Sequence, residues 1–259
     1  MTEGTIKLSK SKSIATLTLN RPDKMNALRF VEMQQIIDYI SELDNDPNIS
    51  IIRIKSEGSR AFLGGLDLGM VGELTPEDIP KLLNFGNSIV KTMIRCKKTI
   101  VTQIQGAAVG WGCIISMCSD FVFAGENPKT FFSLPEIDIG LFPATGALTL
   151  AQMYFGTRKA KQILMYAKRI YLQEAKESSI ITKIVPLDEL EEKTLEFCET
   201  LTNKTENLLH TIKLLLNHNQ FKDLDYLFEK EYNVTAALFD DNIDLEEYYK
   251  NFWEEMNKI

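Results

Sequence analysis

Between Thr99 and Cys113 the chain passes from a β-branched run, Thr99-Ile100-Val101-Thr102-Gln103-Ile104-Gln105, through Gly106-Ala107-Ala108-Val109-Gly110 to Trp111-Gly112-Cys113. The first part predicts a buried strand. The small residues after it permit close backbone approach, and a short helix is expected over Gly112–Ser119, followed by a strand over Phe121–Ala124. A buried strand leading at once into a helix and a further strand points to an α/β architecture. Taken alone, the small residues equally describe a helix packed closely on a sheet.

The flanking sequence extends that pattern. Thr5 to Ser9 and Ile14 to Leu19 alternate apolar and polar residues around a polar turn and predict a hairpin. Leu28, Met33, Ile36, Ile37, Ile40 and Leu43 then fall at helical spacing, with Asn26 expected as the N-cap. Asn45-Asp46-Pro47-Asn48 stops that helix before a strand over Ser50–Lys55. Ile79–Met93 predicts another helix, and Thr182–Val185, bounded by Pro186, a last strand. Residues 188–258 read as successive amphipathic helices. The expected organisation is an α/β core over 1–187 that holds the site, and a helical region over 188–259 that packs on its own core or on a neighbouring subunit.

Composition narrows the classes of partner. A chain of 259 residues, 44% hydrophobic and 25% charged, can bury a core without disulfides. Its net charge of −7 argues against a nucleic-acid partner, although Lys159, Lys161, Lys168 and Arg169 give one locally basic stretch. No apolar run approaches the length of a membrane span. The start, Met1 to Ser13, lacks the apolar stretch of a secretory leader, and Asn257-Lys258-Ile259 is not a peroxisomal address. A cytoplasmic location is expected for a prokaryotic source. Cys96, Cys113, Cys118 and Cys198 lie in apolar surroundings without metal-ligand spacing and read as reduced core residues. His210 and His218 have no acidic or thiol ligands clustered around them, so no metal site is expected.

Three segments break ordinary element rules. In Ala61-Phe62-Leu63-Gly64-Gly65-Leu66-Asp67-Leu68, paired glycines after a strand permit positive φ and can aim an N–H into a cleft, though such a pair also describes a plain tight turn. In the segment around Gly110, a helix start leaves N–H groups without intrahelical partners, which favours developing negative charge. In Ser133-Leu134-Pro135-Glu136-Ile137-Asp138-Ile139-Gly140-Leu141-Phe142-Pro143, two carboxylates stand in an apolar run, where an ionisable group is costly unless paired or functional. A solvated loop is the competing explanation for both.

Together and in order, these segments resemble the crotonase superfamily of enoyl-CoA hydratases and isomerases. Leu19 to Leu28 (LNRPDKMNAL) is similar to the family's N-terminal signature, AFLGGLDL to its first oxyanion segment, and IQGAAVGWGC to the second. CSDFVFAGENPKTFFSLPEIDIGLFP is similar to the catalytic loop that follows, and GTRKAKQILMYAKRIYLQEAKESSIITKIVP to a later helix–loop–strand signature. The resemblance implies a spiral of ββα units with a helical C-terminal trimerisation region, and a homotrimer or dimer of trimers. It implies no separate cofactor, because the CoA thioester is itself the substrate.

Carried over position by position, the backbone N–H groups of Leu66 and Trp111 would hold the thioester oxygen. Arg21, Lys24, Ala27, Gly64, Gly65, Asp67 and Leu68 would bind CoA. Ile114 and Phe142 would wall the acyl pocket. Tyr248 to Asn257 lacks the clustered basic residues that some hydratases carry near the C-terminus. The hydratases generally use two glutamates, and here the first position is Ile114 and the second Glu136. One base suits a proton shuttle between two carbons better than hydration, which must also hold a water. The resemblance therefore points first to Δ3,Δ2-enoyl-CoA isomerase chemistry, with Glu136 as the base. A hydratase that recruits Asp138, another reaction such as hydrolysis or decarboxylation, and a CoA-binding scaffold stay open.

Overall fold

The computed structural model describes residues 5–240, and what was expected of the chain beyond Asp240 lies outside them. Strand β1 (Lys7–Ser11) and strand β2 (Ile14–Leu19) form an antiparallel hairpin, with Lys7 opposite Thr18 and Ser11 opposite Ile14. Strands β3 (Ile51–Ser56), β5 (Thr99–Ile104), β7 (Phe121–Glu126) and β10 (Lys183–Pro186) continue the sheet in the order β1-β2-β3-β5-β7-β10, all parallel to β2. Strands β2 and β5 are buried along their whole lengths. Burial on both faces is why β5 reads as one β-rich run, while β2 keeps its alternation through the buried Thr16 and Thr18.

A second, smaller sheet was not foreseen. Strands β4 (Ala61–Leu63), β6 (Ala107–Val109), β8 (Phe131–Ser133) and β9 (Ile170–Tyr171) pair in that order, β9 antiparallel to β8 and the others parallel. Three long strands of the main sheet each lead to a short strand of this one and then to a helix. Helix α3 (Ile79–Arg95) follows β4, α4 (Trp111–Cys118) follows β6, and α5 (Ala147–Met165) follows β8. The hairpin is likewise followed by α1 (Phe30–Asp44), and the result is a repeated ββα unit. The three parallel short strands, β4, β6 and β8, deliver the loops that follow them to the same end of the second sheet, where the candidate site lies.

Helix α1 starts later than expected. Its N-terminus is closed by Glu32, whose carboxylate accepts the Arg29 backbone N–H at 3.0 Å and pairs with the Arg29 guanidinium, while Asn26 is left-handed with φ 57°. The buried Asn26 amide instead accepts from the Arg21 N–H and donates to the carbonyls of Glu57, Ala61 and Phe62. It ties the loop before α1 to the turn after β3 and to the start of β4. Helix α5 is broken at Gly156, whose φ of 71° and ψ of 157° interrupt the turn. The four cysteines are buried and free, and burial pushes the thiols of Cys96 and Cys118 up to about 12.

Beyond β10 the described chain is helical. Helix α7 (Leu190–Thr202) does not stand apart from the core. Its Leu190, Cys198 and Leu201 pack with Ile14, Ile51, Val101, Phe123 and Val185 to close one face of the main sheet. Helix α8 (Glu206–Phe221) docks through the buried Lys213, whose ammonium donates to the Lys98 carbonyl at 2.8 Å and to Asp120 Oδ2 at 2.7 Å. Asp120 also accepts the Ile100 N–H at 2.7 Å. Removing one partner of a buried pair strands the other charge. Asp120→Ala is therefore expected to cost about 3 kcal/mol, lowering Tm by roughly 6–12 °C in a thermal melt. A double variant, Asp120→Leu with Lys213→Met, recovers much of that loss. Helix α9 (Leu224–Leu238) lies along α3, where Asp225 pairs with Lys91 at 2.7 Å and Arg95 at 2.8 Å. Among the described residues no helix is long and apolar enough to cross a membrane.

Candidate active site

The loop after β4 is held by backbone bonds on one side only. The Leu28 N–H donates to the Gly65 carbonyl at 2.8 Å, and the Asp67 N–H to the Leu28 carbonyl at 2.9 Å. In this parallel bridge between Leu28 and Leu66, residues 65 and 67 spend their groups on Leu28. The Leu66 N–H points the other way, and among the described residues it has no acceptor. Gly65 adopts φ +92°, which an L side chain rarely takes.

The second donor arises where β6 meets α4. The Gly110 N–H is fixed to the Ser133 carbonyl of β8 at 2.8 Å, and Ile114 N–H bonds back to the Gly110 carbonyl. Trp111 is the first residue of the helix, so its N–H has no intrahelical acceptor. The two glycines are close together: a Cβ placed on Gly110 would lie 3.5 Å from Gly65 Cα and 3.1 Å from Glu136 Oε1. The peptides that carry the Leu66 and Trp111 N–H groups thus flank the same small space as the Glu136 carboxyl.

Glu136 opens a short 3-10 turn, Glu136–Ile139, which the Leu141 N–H closes by donating to the Glu136 carbonyl at 2.9 Å. Its Oε2 is buried and has no hydrogen-bond partner. Burial pushes the carboxyl up to about 7, opposed only by its own N–H. The cavity in front of it, about 580 Å³, is walled by Ile114, Phe142, Leu82, Leu83, Leu66 and Trp111 among others. Glu136 is the only carboxylate lining it among the described residues. Asp138, two residues on, is exposed and does not line it.

Trp111 is 6% exposed and both lines the cavity and packs. Its ring edge lies over Gly86 of α3, where an added Cβ would stand 2.9 Å from both Trp111 Cζ2 and Thr145 Cβ. Gly86 is thus the accommodation that a tryptophan at this position requires, and a glycine inside an amphipathic helix was its sole trace in the sequence.

The residues expected to hold CoA divide into two groups. Gly64, Gly65 and Leu68 line the cavity, and Lys24 is exposed beside it. Arg21, Ala27 and Asp67 instead build the loop. The Arg21 guanidinium donates to the Ala27 carbonyl and to Asp67 Oδ2, both at 2.8 Å. Asp67 Oδ1 accepts the Gly69 and Met70 N–H groups and caps helix α2 (Leu68–Val71). Of the two cations that do line the cavity, Arg60 lies just before the first oxyanion segment and Lys129 within the catalytic-loop segment, and neither was given a role from the sequence.

Comparison with known proteins fits this arrangement. A family model described as enoyl-CoA hydratase/isomerase matches residues 9–257. The chain belongs to the enoyl-CoA hydratase/isomerase family. Among this family member's relatives is the crotonyl-CoA hydratase of Syntrophomonas wolfei, 27% identical over 90% of this chain and 88% of that protein. The short-chain-enoyl-CoA hydratase of Clostridium acetobutylicum is 26% identical, over 86% of each chain. An enoyl-CoA hydratase from Mycobacterium avium subsp. paratuberculosis superposes with a TM-score of 0.84 at 26% identity, covering 93% of this chain and 96% of that one. The family assignment and the repeated ββα units agree on the crotonase fold expected from the sequence motifs.

Proposed function

We propose that this family member is a Δ3,Δ2-enoyl-CoA isomerase that works with one base. The observation that carries the reading is that a single carboxylate, Glu136, faces the two unpartnered N–H groups, with apolar walls around it from Ile114, Leu82, Leu83 and Phe142. The thioester oxygen sits between the Leu66 and Trp111 N–H groups. Glu136 removes a proton from C2 of a 3-enoyl thioester. The electron pair spreads onto the oxygen and, through the C3–C4 double bond, to C4. Glu136 then returns the proton to C4, leaving the double bond between C2 and C3. Because both donors are main-chain groups fixed by loop geometry, they need no reorganisation as charge develops.

Ile114 and Phe142 keep the carboxylate poorly solvated, and a base with a pKa near the working pH is well matched to reversible proton transfer. At the mouth, Arg60, Lys129 and Lys24 favour the CoA phosphates, while Arg21 acts through Asp67 on the oxyanion loop. The exposed Leu208, Ile212, Leu215 and Leu216 of α8 support assembly with further copies, in line with a trimer.

The names of the relatives favour a second reading, enoyl-CoA hydratase. Hydration needs a water held and activated beside the proton donor, and Ile114 supplies no group for it. A 3-enoyl thioester labelled with deuterium at C2 separates the two readings. A one-base shuttle carries part of the label to C4 of a conjugated product, whereas a 3-enoyl thioester left with its double bond at C3, while the 2-enoyl isomer is hydrated, contradicts it.

The pH dependence follows from Glu136. The base must be ionised, so kcat/KM for isomerisation should fall about tenfold per unit below the carboxyl's value of about 7 and level off above it. A profile flat from pH 5 to 8 would contradict Glu136 as the titrating base.

A further inference from the structure

Helix α9 carries a buried carboxylate that the proposed reaction does not use. Glu231 accepts the Gly146 N–H at 2.7 Å, just before α5 begins, and among the described residues it joins no ion pair. Burial pushes this carboxyl up to about 7, against the pull of the Gly146 and Thr145 N–H groups. An ionisable group buried this way is costly unless its bonds hold something in place.

What Glu231 meets is a strained turn. Thr145 and Gly146 are successive residues with positive φ, 58° and 89°. A β-branched residue stays in that region only where its surroundings force it there. Successive N–H groups in a tight turn can form a small anion-binding concavity, and the Glu231 carboxylate occupies the side that faces α9. Phe228 of the same helix closes on the turn as well: a Cβ added to Gly146 would stand 3.1 Å from Phe228 Cε1. Thr235, one helical turn beyond Glu231, donates its hydroxyl to the Glu231 carbonyl at 2.7 Å. The polar link from α9 to this turn is therefore Glu231.

The turn reaches the oxyanion site through Thr145, which lines the catalytic cavity together with Trp111. The Thr145 side chain and the Trp111 ring edge meet over Gly86, each within 2.9 Å of where a Cβ on that glycine would stand. We propose that Glu231 is a positioning residue: by holding Thr145 in its left-handed form it seats the Trp111 ring, and so aims the Trp111 N–H at the thioester oxygen. Glu231 does not itself line the cavity. Its effect on turnover rests on reading that N–H as an oxyanion donor, whereas the seating of the ring does not.

Trp111 and Trp253 are the chain's two tryptophans, so a Trp253→Phe background makes the fluorescence report on Trp111 alone. In that background Glu231→Ala should shift the Trp111 emission to the red and raise its quenching by acrylamide. With 3-hexenoyl-CoA the same variant should lose about 10–100-fold in kcat with little change in KM, as for a donor moved by an ångström or less. Glu231→Gln, whose amide oxygen can still accept the Gly146 N–H, should recover most of both readouts. A residue that only anchors α9 would lower Tm and leave the emission and kcat of the folded variant where they were, and that result overturns the proposal. A shifted emission with unchanged kcat overturns it too. If Glu231→Ala does not fold, Thr145→Ala tests the next contact in the same chain: the same red shift and kcat loss support the proposal, and unchanged values overturn it. If the wild type isomerises nothing, the isomerase reading fails separately. The Trp111 emission then decides alone, a red shift in Glu231→Ala supporting the seating role and an unmoved spectrum overturning it.

Discussion

Glu136→Gln should lower kcat for double-bond migration by about 10²–10⁴-fold while leaving the fold intact. The amide keeps the shape of the carboxyl but cannot take a proton from C2 or return one to C4. The same change should make the protein more stable at alkaline pH. In the folded chain the carboxyl titrates at about 7, against an ordinary value of 4.5. As pH rises from about 4.5 to 7 the unfolded chain releases this proton and the folded chain keeps it, so stability falls across that window and stays low above it. Glutamine removes the penalty, which amounts to no more than about 3 kcal/mol. Lost turnover with gained stability at pH 8 marks a residue kept for chemistry rather than for packing. A variant that loses turnover and also melts earlier would point to a structural role for Glu136.

Gly110→Ala should reduce kcat by about 10²–10³-fold, the usual effect of losing one oxyanion donor. Gly110 has φ +50° and ψ −109°, a region that alanine enters only with strain. Its Cβ would also press on the Glu136 carboxyl at 3.1 Å, while only touching Gly65 at 3.5 Å, so relaxation of the strained backbone must move the Trp111 N–H or the base. Gly140→Ala is the control. That glycine also has positive φ, 70°, but an added Cβ there meets no atom within 4 Å. It lies in the left-handed region that an L residue can enter, so it should lose about 1 kcal/mol of stability and far less kcat. Equal kcat losses in the two variants would show that backbone strain, and not the geometry around Glu136, is what matters at Gly110.

The main sheet was legible because its inner strands are long and β-rich, as in Thr99–Ile104, and need no partner to be recognised. The second sheet was not. Its strands are three residues or fewer, too short for a period to register. Asn26 was misplaced as a cap because its true partners lie as far as 36 residues along the chain, at Phe62. Arg21 shows the same blindness: the sequence motif places it near CoA, and only the fold reveals that its charge is spent on Asp67, 46 residues away. Glu136 was conspicuous as a carboxylate in an apolar run, but its lack of a partner depends on walls contributed by α3, α4 and the loop before α5. Helix α9 could be read as amphipathic, while the identity of the face it covers could not.

In the proposed chemistry one carboxylate moves a proton between two carbons of the bound acyl chain and does not add water. Competing rates on a 3-enoyl-CoA and its conjugated 2-enoyl isomer, measured with the same wild-type preparation, test it most directly. The expected result is rapid conversion of the 3-enoyl substrate to the conjugated isomer, with hydration of the 2-enoyl substrate slower by at least about a hundredfold, the lower end of what a missing acid–base group costs. Efficient hydration with little isomerisation would contradict it and make this chain a hydratase that manages with Ile114 in place of the first glutamate.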